Sequence, residues 1–159
     1  MEIDICSHGV LLGLLSSDAG RRDVLLVTNP GVGPPEGVPP LARRLLHLQF
    51  DDFASPRPGV LLPTASDVRR ALNWAAASEH LVVSCHAGVS RSAALAYLVR
   101  CRACPPPEAV KILVRGWHRP NELIVRLGAS VLGDPAVYVA YRTWSGEGTS
   151  AGRPRQKSR

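Results

Sequence analysis

Between Leu81 and Val99 the chain passes without a break from an apolar strand, Leu81-Val82-Val83-Ser84, through a cysteine and a short loop closed by Arg91, into the helix-forming run Ala93-Ala94-Leu95-Ala96-Tyr97-Leu98-Val99. This order predicts a loop at the carboxyl end of a buried strand, with the positive end of a helix dipole pointing at it. In open α/β sheets that is where ligands bind. The segment therefore constrains both the architecture and the place of any site.

The loop residues have the chemistry of an anion cradle. A turn wrapped around an anion aims successive backbone N–H groups inward, so His86, Ala87, Gly88, Val89 and Ser90 are the candidate phosphate-binding positions, with Gly88 supplying backbone angles that a side chain would forbid. Arg91 can present its planar fork to two phosphate oxygens, and its charge favours a thiolate at Cys85. Ser92 is placed to donate a hydrogen bond to that sulfur. A phosphate dianion needs converging donors and a fixed positive charge, and cleavage of its ester needs an in-line nucleophile; the candidate catalytic set is Cys85, Arg91 and Ser92.

The stretch Cys85-His86-Ala87-Gly88-Val89-Ser90-Arg91-Ser92 resembles the signature of the Cys-x5-Arg phosphatases, in particular the dual-specificity phosphatases and compact bacterial tyrosine-phosphatase-like proteins. The resemblance implies an α/β fold with a central, largely parallel sheet flanked by helices. It also implies hydrolysis of phosphotyrosine, with phosphoserine and phosphothreonine as further substrates, through a cysteinyl-phosphate. An Asp on a loop well upstream of the cysteine is then expected to protonate the leaving oxygen. Phe50-Asp51-Asp52-Phe53 enters a loop containing Pro56, Pro58, Gly59 and Pro63, where such an acid belongs. Asp52 is preferred because in the related proteins the acid follows a polar residue and leads directly into the loop. Asp51 remains a secondary candidate, and either carboxylate also suits a turn at a strand end. Pro120-Asn121 resembles a segment that lies near the cysteine loop in the bacterial relatives. Asn121 is accordingly a secondary candidate for holding the attacking water, although it is also a natural helix N-cap.

Chain order and loop composition separate subfamilies. In low-molecular-weight tyrosine phosphatases the cysteine lies near the N-terminus and the acid follows it, whereas here the acid precedes. The loop lacks the lysines with which related lipid phosphatases meet extra phosphates, which disfavours a polyphosphorylated lipid. The chain also departs from its relatives in having Ser84 where most have His. A serine hydroxyl can bond the loop backbone but cannot carry charge near neutral pH. His86 is expected to point away from the phosphate. Ser84 keeps open a phosphate-binding or phosphoprotein-binding module that has lost turnover. An RNA 5′-phosphatase or a sulfurtransferase on a similar loop is a further alternative.

At 159 residues and 45% hydrophobic content, one domain over residues 1–144 can bury a core without disulfides. The four cysteines form no disulfide framework, and Cys101-Arg102-Ala103-Cys104 lacks a second ligand pair, so neither metal nor cofactor is called for. The acidic opening Met1-Glu2-Ile3-Asp4 and the absence of a long apolar run predict a cytoplasmic protein without a membrane span. Residues 145–159 carry Arg153, Arg155, Lys157 and Arg159 against Glu147, half of the net charge of +6. Lacking aromatic residues, they are expected to form a solvated, disordered basic tail with no specific nucleic-acid partner. The expected partner is a phosphorylated protein or a small phosphomonoester.

Periodicity and turn signals predict strands over 3–7, 24–28 and 46–50 besides the catalytic strand, a loop over 29–40 and a helical turn over 41–45. Helices are predicted over 66–75, with Thr64 and Asp67 at capping-box spacing, and over 92–103, 107–117, 121–132 and 135–144.

Overall fold

A computed structural model describes residues 1–146; the expected disorder of the basic tail lies outside the described residues from position 147 onward. Four strands, β1 (Glu2–Ser7), β2 (Asp23–Thr28), β3 (Arg44–Gln49) and β4 (His80–Cys85), form one sheet in the order β1-β4-β2-β3. Every pairing is parallel. The central strands β2 and β4 are covered on both faces, which is why Val24 to Val27 and Leu81 to Val83 are continuously apolar. All four strands end on the same edge, so Ser7, Thr28, Gln49 and Cys85 deliver the segments that follow them to one place.

One face of the sheet packs on α1 (His8–Ser16) and α2 (Val38–Leu41) through Leu11, Leu15, Val24, Leu26, Val38 and Val82. The other face carries the larger core, built on α3 (Ala65–Ala75), α4 (Arg91–Cys101), α6 (Glu122–Leu132) and α7 (Ala136–Ser145). Helix α4 is buried from Arg91 to Val99, and its sequence is accordingly apolar all round rather than striped. The Leu98 side chain of α4 packs directly on the backbone of α6: a Cβ on Gly128 would fall 2.3 Å from the Leu98 methyl carbons. That close approach sets where the first residue of α6 sits relative to the loop that starts α4.

The α/β class and the parallel sheet agree with the expectation from sequence, with three local differences. Helix α1 was not among the predicted elements. It contains Gly9 and Gly13 and its N-cap Ser7 makes no side-chain cap, so local propensity does not specify it; burial of Leu11 and Leu15 against the sheet does. The predicted helix over 107–117 is instead a single turn, α5 (Pro106–Ala109), a 3-10 turn (Val110–Ile112) and an irregular stretch. There the His118 imidazole takes the Val114 N–H at 2.8 Å, a bond that replaces continuation of the helix. The helical turn before β3 falls at Val38–Leu41 rather than 41–45, and β3 starts at Arg44. The capping box of α3 is present: Thr64 Oγ1 accepts from Asp67 N at 3.2 Å, and Asp67 Oδ2 accepts from Thr64 N at 2.8 Å. Among the described residues no helix is long and apolar enough to cross a membrane.

The edge of the sheet opposite the cysteine loop is fastened by Asp23. Its fully buried carboxylate accepts from Arg43 Nε at 2.9 Å and Nη2 at 2.6 Å, from Arg44 Nη2 at 2.6 Å and from Ser78 Oγ at 2.7 Å. Burial alone would push this carboxyl up, but the hydrogen bonds from Arg44, Arg43 and Ser78 outweigh it and hold the group at about 2 instead of 3.8. A depressed carboxylate contributes stability that is complete above its unfolded value and is lost as pH falls through the folded one, here about 2 kcal/mol. We expect Asp23→Asn to lower the unfolding free energy near neutral pH by about 2–4 kcal/mol and to flatten its decline from about pH 4 to 2, both read from urea denaturation. A wild-type-like acid dependence in Asp23→Asn would assign that decline to other groups.

Candidate active site

Strand β4 ends at Cys85, the chain turns through residues 86–90, and Arg91 opens α4. The turn lies directly on the end of β1, where Ser7 is the register partner of Cys85. Gly88 has φ +69°, and a Cβ there would meet Ser7 N at 2.5 Å and Cys6 C at 2.6 Å. The glycine is thus required twice, by its conformation and by the backbone against it. At the base of the loop Cys85 Sγ and Ser92 Oγ, both buried, are 3.1 Å apart.

The Arg91 side chain is only 4% exposed. Its Nη1 donates to Asn29 Oδ1 at 2.7 Å and to the Phe50 carbonyl at 2.8 Å, which accounts for both hydrogens on that nitrogen. Nε is buried with no hydrogen-bond partner. The edge of the guanidinium formed by Nε and Nη2 is therefore the one left to meet an anion in the fork geometry. Of the groups that hold Arg91, Asn29 follows β2 and Phe50 follows β3, so two strand ends orient a residue that belongs to a third.

The neighbouring carboxylates separate. Asp51 takes the Leu61 N–H on Oδ2 at 2.8 Å, while its own N–H bonds the Leu61 carbonyl at 2.8 Å, which closes the base of the intervening loop. Asp52 instead faces the cysteine loop, where its Oδ1 accepts from Ser90 Oγ at 2.7 Å and from Asn121 Nδ2 at 2.9 Å. Asn121 also caps α6 by accepting from Ile124 N at 3.1 Å, and it donates to the Phe53 carbonyl at 3.1 Å. Capping and contact with Asp52 are one arrangement, because the amide has an oxygen for the helix and a nitrogen for the carboxylate.

Cys85, His86, Ala87, Arg91, Asp52 and Phe53 are among the residues lining a cavity of about 280 Å³ over the loop. Larger clefts of about 450 and 610 Å³ lie along α7, and neither is lined by a cysteine or a carboxylate. Of the loop residues named from sequence, Gly88 and Val89 do not line the cavity; Gly88 lies against the end of β1, the Val89 carbonyl accepts from Arg119 N at 3.0 Å, and Asn121 N donates to Ser90 O at 3.3 Å. His86 is exposed, and its ring meets that of His8 edge-on at 6.1 Å. Burial, above all, lowers the pKa of His8, whose Nε2 lies 3.2 Å from the Val27 carbonyl.

The Ser84 hydroxyl does not bond the loop backbone. Strand alternation turns it to the opposite face from Cys85, where its buried Oγ lies beside the Cys6 thiol. Burial pushes the Cys6 thiol up, an effect the adjacent Ser84 hydroxyl partly offsets. Cys101 is likewise pushed up by burial, to about 12. Among the described residues no group of three His, Cys, Asp or Glu side chains is placed to hold a metal ion.

Asn29 and the Phe50 carbonyl were not singled out from sequence. Asn29-Pro30-Gly31 carries a strong turn signal, which accounts for an Asn by itself and hides its contact with a residue far along the chain.

No family model and no curated protein matches this sequence. Solved structures do. Human tyrosine phosphatase-like serine/threonine/tyrosine-interacting protein superposes with a TM-score of 0.61 at 16% identity, covering 82% of this chain and 91% of that one. The Cydia pomonella PTP-2 phosphatase gives 0.56 at 23% identity, with 82% and 85% covered. Tk-PTP in its active form gives 0.55 at 14%, with 82% and 91% covered. The chain thus has the α/β fold of the tyrosine and dual-specificity phosphatases, as its cysteine loop suggests.

The contact under Gly88 can be isolated with a control. We expect Gly88→Ala to destabilise the protein by about 2–4 kcal/mol in chemical denaturation, whereas Gly116→Ala, at φ +81° with open space around it, costs about 1 kcal/mol from backbone strain alone. Equal losses would show that β1 yields to the added methyl group.

Proposed function

We propose that the protein is a phosphomonoester hydrolase that works through a cysteinyl-phosphate and takes phosphotyrosine, with phosphoserine and phosphothreonine as further substrates. The observation that carries this reading is the buried Arg91 guanidinium, anchored through Nη1 and with Nε unpartnered, on the loop that begins at Cys85. A buried, unsatisfied donor on a cation is costly unless an anion completes it.

In the proposed reaction Arg91 and the amides of residues 86–90 hold the phosphoryl oxygens and Cys85 Sγ attacks phosphorus. The P–O bond to the leaving group breaks as Asp52 gives its proton to the departing oxygen. The Asp52 carboxylate then takes a proton from water, the water oxygen attacks the cysteinyl-phosphate, and the P–S bond breaks with Ser92 Oγ donating to the sulfur. Asn121, bonded to Asp52, lies where it can orient that water. Asp51, which also borders the cavity, is the weaker candidate for the acid because it is tied to Leu61 of its own loop, whereas Asp52 is bonded to Ser90 of the cysteine loop.

A second reading is a binding module without turnover. Ser84 is consistent with it, and one of the superposed structures is named as a phosphatase-like interacting protein rather than a phosphatase. Metal-free release of phosphate from p-nitrophenyl phosphate, abolished in Cys85→Ser, separates the two; tight binding of vanadate without turnover supports the module. The same assay opposes a sulfurtransferase, and comparison of a phosphotyrosine peptide with a 5′-triphosphate RNA tests the remaining alternative.

Two further outcomes follow from the site. Asp52→Asn is expected to lower kcat on a phosphotyrosine peptide by about 10²–10⁴-fold with little change in KM, and by less for aryl phosphates with very good leaving groups. Asp51→Asn showing this pattern in its place would move the acid to Asp51. Iodoacetamide near neutral pH is expected to label Cys85 ahead of Cys6 and Cys101, whose thiols burial pushes up, and vanadate should protect it. Labelling of Cys85 that ignores vanadate would count against an anion cradle.

A further inference from the structure

We infer that Asn29 is a positioning residue for the reaction proposed above, orienting the Arg91 guanidinium from outside the cysteine loop. The inference rests on that reading for its catalytic consequence, but its structural content stands on the guanidinium alone.

A guanidinium has five N–H donors in one plane, and a fork presented to phosphate requires the plane and its rotation about Nε–Cζ to be fixed. In this protein the fixing groups are Asn29 Oδ1 and the Phe50 carbonyl, at 2.7 and 2.8 Å from the same nitrogen, Nη1. They come from the ends of two different strands, so rotation of the guanidinium would break both bonds. Both acceptors are neutral. Among the described residues no carboxylate lies within ion-pair distance of Arg91, in contrast to Arg43 and Arg44, which share the Asp23 carboxylate. An amide acceptor holds the cation without cancelling its charge, which remains available to a dianion.

The turn that carries Asn29 is itself braced. Val32 N donates to Asn29 O at 3.1 Å, and the Val32 carbonyl accepts from Thr28 Oγ1 at 2.6 Å and from Gln49 Nε2 at 2.9 Å. His47 Nε2 lies 2.7 Å from Thr28 Oγ1. Side chains of β3 thereby hold the end of β2 against the cradle. Asn29 is exposed and lines the cavity. Its replacement removes the contact to Arg91 without opening the core.

The test compares Asn29→Ala, which deletes the acceptor, with Asn29→Asp, which keeps an acceptor but adds a charge. Melting temperature is expected to stay near wild type in both. For Asn29→Ala the dissociation constant for vanadate should rise, and kcat/KM on a phosphotyrosine peptide should fall, by about 10–100-fold, while the response of rate to leaving group stays as in wild type because Asp52 is untouched. For Asn29→Asp the guanidinium stays anchored, yet vanadate binding should weaken because the new carboxylate competes with the oxyanion for the same cation. A third readout needs no activity. The side-chain ¹⁵N resonances of Arg91, which report restricted rotation about Nε–Cζ, should show faster exchange in Asn29→Ala and remain as in wild type in Asn29→Asp. Unchanged Arg91 resonances in Asn29→Ala would overturn the inference whether or not the protein is a phosphatase. Altered resonances in a wild-type background that neither binds vanadate nor turns over substrate would preserve the orienting contact and overturn the reaction assigned to it. Retained binding and turnover in both variants would overturn the functional role.

Discussion

A guanidinium buried with its charge uncancelled is the constraint around which this fold is arranged. Arg91 is 4% exposed, is met by two neutral acceptors, and keeps one buried N–H unsatisfied. Burying a charge in this way is unfavourable by itself, so the surrounding structure must hold it by other means. The parallel sheet does so, because it brings the ends of β2, β3 and β4 to one edge and supplies the Asn29 side chain, the Phe50 carbonyl and the cysteine loop from three distant parts of the chain.

The two edges of the sheet divide the electrostatics between them. At one edge Asp23 is fully buried and fully satisfied by two arginines and a serine, and its carboxyl is held far below the usual range. At the other edge polar groups converge with donors left over. The two ends differ in charge pairing: Asp23 is met by two guanidinium groups, whereas Arg91 meets only neutral acceptors. Helix α4 connects these roles: its buried body anchors the larger core, and its first residue, the buried Arg91, borders the cavity.

Adjacent or coincident residues take different tasks here for geometric reasons. Asp51 and Asp52 are consecutive and both border the cavity, yet one closes its own loop through Leu61 and the other reaches Ser90 and Asn121. Asn121 serves both the helix and the carboxylate. The choice between an N-cap and a site residue, open at the level of sequence, dissolves because a side-chain amide has two ends. The close crossing of α4 and α6 at Gly128 brings those two ends to the right place.

Local chemistry made much of this legible in the sequence. The strand, loop and helix around Cys85, the apolar runs of the buried strands and the capping box of α3 each depend on contiguous residues, and each is present as expected. Helix α1 was invisible because its glycines and missing cap argue against it, and only burial on the sheet stabilises it. The 107–117 segment misled because its apolar residues have helical spacing while His118, reaching back to Val114, ends the helix through a side-chain bond that periodicity does not encode. Sequence by itself determined the class of fold, through its alternating strand and helix patterns, and the cysteine, arginine and loop of the candidate site, which lie within eight consecutive residues. Only the tertiary structure decided which carboxylate faces the loop, that Ser84 turns away from it, and that Asn29 and Phe50 hold Arg91, because contacts between the ends of separate strands depend on how the sheet assembles and not on any neighbour in the chain.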